Sequence, residues 1–342
     1  MSLSLIYHPR FLEHRQADVW HPERPERLEA VIERLRAEEL WRDVIVPEPA
    51  PWETLARAHD ERYLARLRDF GEGRWDFDTY VRPDTFEIAR LAAGGALLAA
   101  ETTWRERRPA LALLRPPGHH ATPDRAMGFC YLNNVAIAAL AHLAAGRGRV
   151  AIVDLDVHHG NGTQNIFYWR QDALYLSIHQ WPLYPGTGLS VDLGEGAGKG
   201  FTINIPLPPA SGNATYLDAF ERIVEPVLAH FAPSLLLVSF GVDAHYMDPL
   251  AEMTLTTSGY VRLAERLRAA AERLCEGRLA LMLEGGYHLD ALAEVVAGVV
   301  AAFNGRATRV PPAYDAEQDP HALGRSTVDA IVARLAPHWP IG

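Results

Sequence analysis

Residues 151 to 163 read AIVDLDVHHGNGT, an apolar run leading without a break into two aspartates, two histidines and two glycines. An apolar strand that ends in such a cluster is where an α/β enzyme places a divalent metal. Asp154, Asp156 and His158 alternate, so along an extended strand end the period of two turns all three to one side and makes them a candidate ligand set. The same letters also suit a buried strand whose polar end caps the next helix, and a short motif does not decide between the two alone. The rest of the chain decides.

Similar apolar runs recur at 3–7, 110–114, 173–178, 201–205, 235–240 and 279–283, with 150–154 among them. Helical patterns lie between them at 26–40, 84–101, 133–145, 214–229, 260–275 and 290–303. Alternation of this kind predicts stacked βα units around a parallel sheet. A Pro-rich stretch at 310–320 reads as a surface loop before a terminal helix near 327–335. With no repeat or low-complexity segment in the way, all 342 residues are expected to form one domain.

The chemistry is concentrated just past the strand ends. After Leu114 come Arg115, Pro116, Pro117, Gly118, His119 and His120; after Phe240 come Gly241, Val242 and Asp243; after Leu283 come Glu284, Gly285, Gly286 and Tyr287. Ligands in open α/β sheets gather outside the carboxyl ends of the strands, so four polar strand ends are expected to meet in one pocket. Each alone has a structural reading, a helix cap for the aspartate or a turn for Gly-Gly-Tyr.

Composition narrows the function classes. The net charge is −10, with 33 Lys and Arg against 43 Asp and Glu. Counterion release on nucleic acid needs clustered cations, so no nucleic-acid partner is expected. Arginines spread among glutamates, as at 23–39, read as a solvated helix face. Cys130 and Cys275 are too few for a disulfide framework or a thiolate zinc site, so a metal would take nitrogen and oxygen ligands and Cys130 reads as packing. No apolar run reaches the roughly 18 residues of a membrane helix, and MSLSLIYHPR lacks an export pattern. A cytoplasmic protein without a membrane partner is expected. His8, His14, His21 and His59 read as solvated, His159 as structural, and His245 and His288 as rim residues.

The motifs RPPGHH (115–120), GFCYLNN (128–134), DLDVHHGNGTQ (154–164), GVDAHYMDPL (241–250) and EGGYHL (284–289) resemble the zinc-dependent histone deacetylase and acetylpolyamine amidohydrolase superfamily. HPERPERL (21–28) and PGTG (185–188) extend the match to roughly residues 5–305, leaving a C-terminal extension over about 306–342. Asn161, where many relatives carry Asp, and the Glu-Gly-Gly-Tyr ending resemble the class II branch and its bacterial kin. The resemblance implies an arginase-like α/β fold, a parallel sheet of about eight strands sandwiched between helices.

It also implies roles. Asp156, His158 and Asp243 would hold one zinc, with positions left open for water and a substrate carbonyl. His120 would be the general base and His119 its electrostatic helper, held by Asn161 and Asp154 respectively. Tyr287 would hydrogen-bond the oxyanion. Gly128, Phe129 and Tyr184 would wall a tunnel, with Gly286 also touching substrate. Leu250 stands where polyamine-selective relatives carry Glu, which favours acyl-lysine over acetylpolyamine. A potassium ion would sit behind the zinc on Asp154, Asp156, His158, the hydroxyl of Ser177 and the main chain of Ile178. A second alkali site is expected near Phe167, Arg170, Ala173 and Phe201. The implied substrates are acyl-lysine peptides or small acylated amines, with hydroxamate chelators as inhibitors. Two readings from other classes stand beside this one: an arginase-type binuclear manganese ureohydrolase, and an inactive acyl-lysine binding module.

Overall fold

Each of the seven apolar runs forms a strand of one sheet. The computed structural model describes residues 3–15, 20–308, 310–311, 319 and 322–341. In chain order the strands are β1 Ser4–Ile6, β2 Val44–Ile45, β3 Gly73–Arg74, β4 Tyr80–Val81, β5 Ala110–Ala112, β6 Val150–Asp154, β7 Ala173–Gln180, β8 Thr202–Leu207, β9 Leu235–Phe240 and β10 Leu279–Leu283. Eight of them make a sheet in the order β2-β1-β5-β10-β9-β6-β7-β8, with every neighbouring pair parallel. The strands are continuous apolar runs because helices cover both faces of a parallel sheet and leave no solvent side to mark by alternation. Accordingly β6, β9 and β10 are buried at every position. β3 and β4 form a separate antiparallel pair.

This order fixes where the site lies. The four polar strand ends belong to β5, β10, β9 and β6, which are consecutive neighbours in the middle of the sheet. Helix Leu289–Phe303 packs against Glu26–Ala37 and Thr257–Leu274, while Thr85–Glu106 packs against Asn134–Ala144. Side chains cap several of these helices: Asn133 accepts from Ala136 N–H, Thr256 from Gly259 N–H and His288 from Ala291 N–H.

Some expectations are corrected. The eighth strand, β2, is two residues long and offers no pattern to read. The helix expected over 214–229 is three pieces, Asn213–Ala219, a π-type turn Phe220–Val224, and Glu225–Phe231. Pro226, which has no N–H to give the preceding turn, explains the irregularity. Most of the Pro-rich stretch at 310–320 lies outside the described residues; its Asp319 is buried and accepts the backbone N–H groups of Gly212 and Thr215 at the start of helix Asn213–Ala219. No helix among the described residues is long and apolar enough to cross a membrane.

Candidate active site

The strand β6 stops at Asp154, short of the extended run to His158 that alternation suggested. Asp154 Oδ1 accepts from the Asp156 N–H at 3.2 Å and Asp156 Oδ1 from the His158 N–H at 3.0 Å. These are two successive turns in which an aspartate bonds the backbone two residues on. Asp156 and His158 are thereby turned toward Asp243 after β9. Nδ1 of His158 lies 3.2 Å from Asp156 Oδ1 and 3.1 Å from Asp243 Oδ2, and one ligand atom from each of the three residues falls within 4.8 Å of the others. The free oxygens are fixed by backbone donors: Val157 N–H to Asp243 Oδ1 at 2.8 Å, Gly285 N–H to Asp156 Oδ2 at 2.8 Å. A Cβ at Gly285 would stand 2.1 Å from Asp243 Oδ2, so only glycine fits against the cluster.

The electrostatics of the triad favour a cation. Burial works against a charged His158, but the carboxylates of Asp156 and Asp243 outweigh it and push the ring up to about 10. Burial, together with the nearby Asp156 carboxylate, pushes Asp243 up to about 7. Two carboxylates and one imidazole this close together, once a cation displaces the imidazole proton, are the donor types that an open catalytic metal site uses.

The two histidines after β5 stand beside it. His119 Nδ1 meets Asp154 Oδ2 at 3.1 Å, and the Tyr175 hydroxyl donates to the same oxygen at 3.1 Å. Burial opposes a proton on His119, and Asp156 and Asp154 outweigh it, raising the ring to about 10. His120 Nδ1 donates to Asn161 Oδ1 at 2.8 Å, which leaves Nε2 as the bare nitrogen. Burial first, and then the positive fields of His119 and His158, hold His120 well below its usual range. The two rings lie 4.0 Å apart between centroids.

Above these groups is a cavity of about 280 Å³ lined by His120, His158, Gly128, Phe129, Tyr184, Leu250 and Tyr287, among others. Phe129 and Tyr287 meet edge to face at 5.9 Å, and Tyr184 meets His120 the same way at 5.1 Å. Phe129 has φ +67°, a strained conformation for a ring-bearing residue. Gly286 is not in the cavity wall; its carbonyl is turned away and accepts from Arg27 Nε at 2.6 Å. Burial, and next the Asp243 carboxylate, push the Tyr287 phenol well above its usual range, so its hydroxyl remains a donor. Ser177 sits beside Asp154 in the β6–β7 register, followed by buried Ile178. Phe167, Ala173 and Phe201 lie around the start of β7, where Arg170 pairs with Asp172 at 2.6 Å. A larger cavity, of about 460 Å³, is lined by residues such as Leu3, Arg268 and Arg306 and contains none of the motif histidines.

Several working residues carried no role in the sequence reading. The segment 23–39 is not simply a solvated face, because Glu23 and Arg27 are buried. Glu23 Oε1 pairs with Arg115 Nε at 2.6 Å and with Arg27 Nη1 at 3.2 Å. Arg27 also donates to the carbonyls of Glu284 and Gly286, and Arg115 to those of Phe11 and His14. One carboxylate thus ties the loop bearing Tyr287 to the loop bearing His119 and His120. Asp248 Oδ2 accepts from the Tyr287 N–H at 2.6 Å, and Glu284 Oε2 from the Gly118 N–H at 2.6 Å. The available signal was position: these charges sit within Pro- and Gly-flanked motifs instead of mid-helix. Glu23→Ala is expected to cost about 3–5 kcal/mol of unfolding free energy, because it strands two buried guanidiniums. Denaturant melts check this, and a loss under about 1 kcal/mol, the scale of an exposed pair, would contradict it.

The histidines divide differently from expectation. His14 and His59 are buried, not solvated: His14 bonds Thr85 Oγ1 at 2.9 Å, and His59 Nε2 accepts the Asn133 N–H at 2.9 Å. His245 is buried against Thr257 and is no rim residue, while His288 caps a helix. His159 is structural, bonded to Thr187 and Gln164.

Comparison with known proteins agrees with this geometry. The histone deacetylase domain profile matches residues 21–303. A probable deacetylase of Archaeoglobus fulgidus is 42% identical, over 97% of this chain and 94% of its own. The human polyamine deacetylase HDAC10 is 35% identical over 99% of this chain, which spans 53% of that longer protein. Among solved structures, the crystal structure of the HDA15 HD domain superposes with a TM-score of 0.90 at 33% identity, covering 99% of this chain and 97% of that one. The arginase-like sheet, the buried donor cluster and these matches lead to one conclusion: the chain belongs to the histone deacetylase family, metal-dependent hydrolases of acetylated amides.

Proposed function

We propose that this deacetylase uses a single zinc ion to remove acetyl or other acyl groups from lysine side chains or similar amines. The reading rests on one observation: the Asp156, His158 and Asp243 cluster lies at the floor of a narrow aromatic cavity with His120 and Tyr287 beside it. Zinc held by those three residues would polarise the substrate carbonyl and lower the pKa of the attacking water.

The remaining work falls to the chain's own side chains. His120, neutral and with Nε2 bare, accepts the water proton and later passes it to the leaving amine. His119, kept in place by Asp154, supplies positive potential beside it. The Tyr287 hydroxyl donates to the oxyanion, a contribution of roughly 3–4 kcal/mol for such donors. Phe129, Gly128 and Tyr184 enclose an uncharged aliphatic stem and exclude water. Asp154, Asp156, His158, the hydroxyl of Ser177 and the carbonyl of Ile178 would hold a potassium ion, which would supply positive charge beside the Asp154 and Asp156 carboxylates. His179 Nε2 bonds the Gly188 carbonyl, so its Nδ1 accepts the Ser177 hydroxyl at 2.8 Å and leaves the Oγ lone pairs for a cation. A second alkali site near Phe167, Arg170, Ala173 and Phe201 would use main-chain oxygens.

Asn161 sets the pH dependence. An amide cannot stabilise an imidazolium as a carboxylate does, and the rate needs His120 unprotonated, so activity falls as pH drops through the His120 pKa. Asn161→Asp is expected to raise that pKa and move the acid limb of kcat/KM to higher pH. A limb that stays put or moves down would count against the His120–Asn161 pairing as a control on the base.

Leu250 at the mouth offers no charge to a secondary ammonium, which supports acyl-lysine peptides over acetylpolyamines, while Asp78 in the same lining is the carboxylate that would meet a cationic substrate or a peptide backbone. Comparing kcat/KM for acetyl-lysine peptides with that for acetylputrescine and acetylspermidine tests this, because the ratio reports differential transition-state binding. Peptides are expected to lead, with hydroxamates inhibiting. A polyamine preference of about tenfold or more would reverse the substrate assignment.

A further inference from the structure

A second group of metal-donor side chains adjoins the first, with His119 Nε2 3.7 Å from Asp156 Oδ1. Cys130 offers Sγ, Glu284 a carboxylate oxygen and His119 a ring nitrogen, all within 4.8 Å of one another and all buried. They arrive from three separate segments: the loop before helix Asn134–Ala144, the end of β10 and the loop after β5. Glu284 spends Oε2 on the N–H groups of Gly118 and His119, at 2.6 and 3.2 Å, while its buried Oε1 has no partner. Such an oxygen is costly to leave unsatisfied, so its persistence points to a group that binds there. Cys130 is a free thiol with 0% exposure. Nδ1 of His119 is held by Asp154, the arrangement that metal-bound histidines use to orient the other nitrogen.

One sulfur, one nitrogen and one oxygen donor suit zinc, with a fourth position for water, and suit hard oxygen-seeking cations poorly. We propose that His119, Cys130 and Glu284 form a second, thiolate-containing zinc site whose occupation inhibits the enzyme. On binding, the Cys130 thiol loses its proton to solvent and the metal takes the sulfur lone pair. The imidazole of His119 is then a ligand and no longer available beside His120. The occupancy stands on the geometry alone, whereas the inhibition rests on the assignment of His119 to the catalytic pair.

Enzyme loaded with one equivalent of zinc is the material for the test. Titration with Co²⁺ is expected to bring up a near-ultraviolet thiolate-to-cobalt charge-transfer band, which an oxygen and nitrogen site cannot give. Titration with further Zn²⁺ is expected to bind a second equivalent and to lower deacetylation in step. Cys130→Ala should show no band, bind no second equivalent and keep its activity in excess zinc. A wild-type enzyme that never develops the band overturns the site by itself, whether or not the variant folds. Loss of activity of Cys130→Ala in excess zinc overturns the inhibitory role. Singly loaded enzyme that shows the band on cobalt addition but never hydrolyses acetyl-lysine would instead sink the deacetylation mechanism and leave the site standing.

Discussion

Asp243→Asn is expected to abolish metal retention and hydrolysis together. Asp243 is the only member of the triad that comes from another strand end, β9, and so it closes the cluster that Asp156 and His158 begin. The substitution keeps an oxygen that can still accept from Val157 N–H but removes the negative charge facing His158. Losing a hydrogen-bond partner behind a metal ligand costs roughly 10- to 100-fold in affinity or activity, so losing a ligand should exceed that range. Elemental analysis and kcat/KM on an acetyl-lysine peptide check the two effects in one preparation. A variant that holds a full equivalent of metal and turns over normally would show that Asp243 is not a ligand.

His120→Gln is expected to lower kcat/KM by about 10²–10⁴, the usual contribution of a positioned acid–base group. Metal content should stay at one equivalent, because His120 lies outside the donor cluster. The contrast with Asp243→Asn separates loss of proton transfer from loss of the metal. Glutamine can still donate to Asn161 but has no basic nitrogen, so a variant that retains most of its activity would remove His120 from the mechanism. An acid limb that survives unchanged in the residual activity would do the same.

These outcomes depend on features that differ in how openly the chain displays them. Parallel strands were legible because a strand buried on both faces is an unbroken apolar run, as at 150–154, 235–240 and 279–283, which match β6, β9 and β10 residue for residue. The meeting of their ends was legible from a general property of α/β sheets, and the sheet order makes those four strands neighbours. The two residues of β2 were not, since so short an edge has no periodicity. The turns after Asp154 were also hidden, because alternation of Asp, Asp and His fits a strand as well as successive aspartate turns.

The buried charges were the larger omission. Glu23, Arg27 and Arg115 look like surface residues in composition, and only the fold brings the Glu23 carboxylate between guanidiniums that hold the loops bearing Tyr287 and His119. His59 is similar: its partner, the Asn133 N–H, is 74 residues away in sequence. Burial of a polar group depends on long-range partners, which a local pattern does not encode. Phe129 belongs to the same class, since an aromatic residue does not itself favour the positive φ it adopts here, and nothing in its local pattern announces it.

The measurement closest to the centre of the account is deacetylation of an acetyl-lysine peptide as a function of zinc bound per chain, beginning from exhaustively chelated protein. Turnover should vanish with the metal and return in full at one equivalent. Chelated protein that keeps its full turnover would contradict the assignment of Asp156, His158 and Asp243 as the ligands of a catalytic metal.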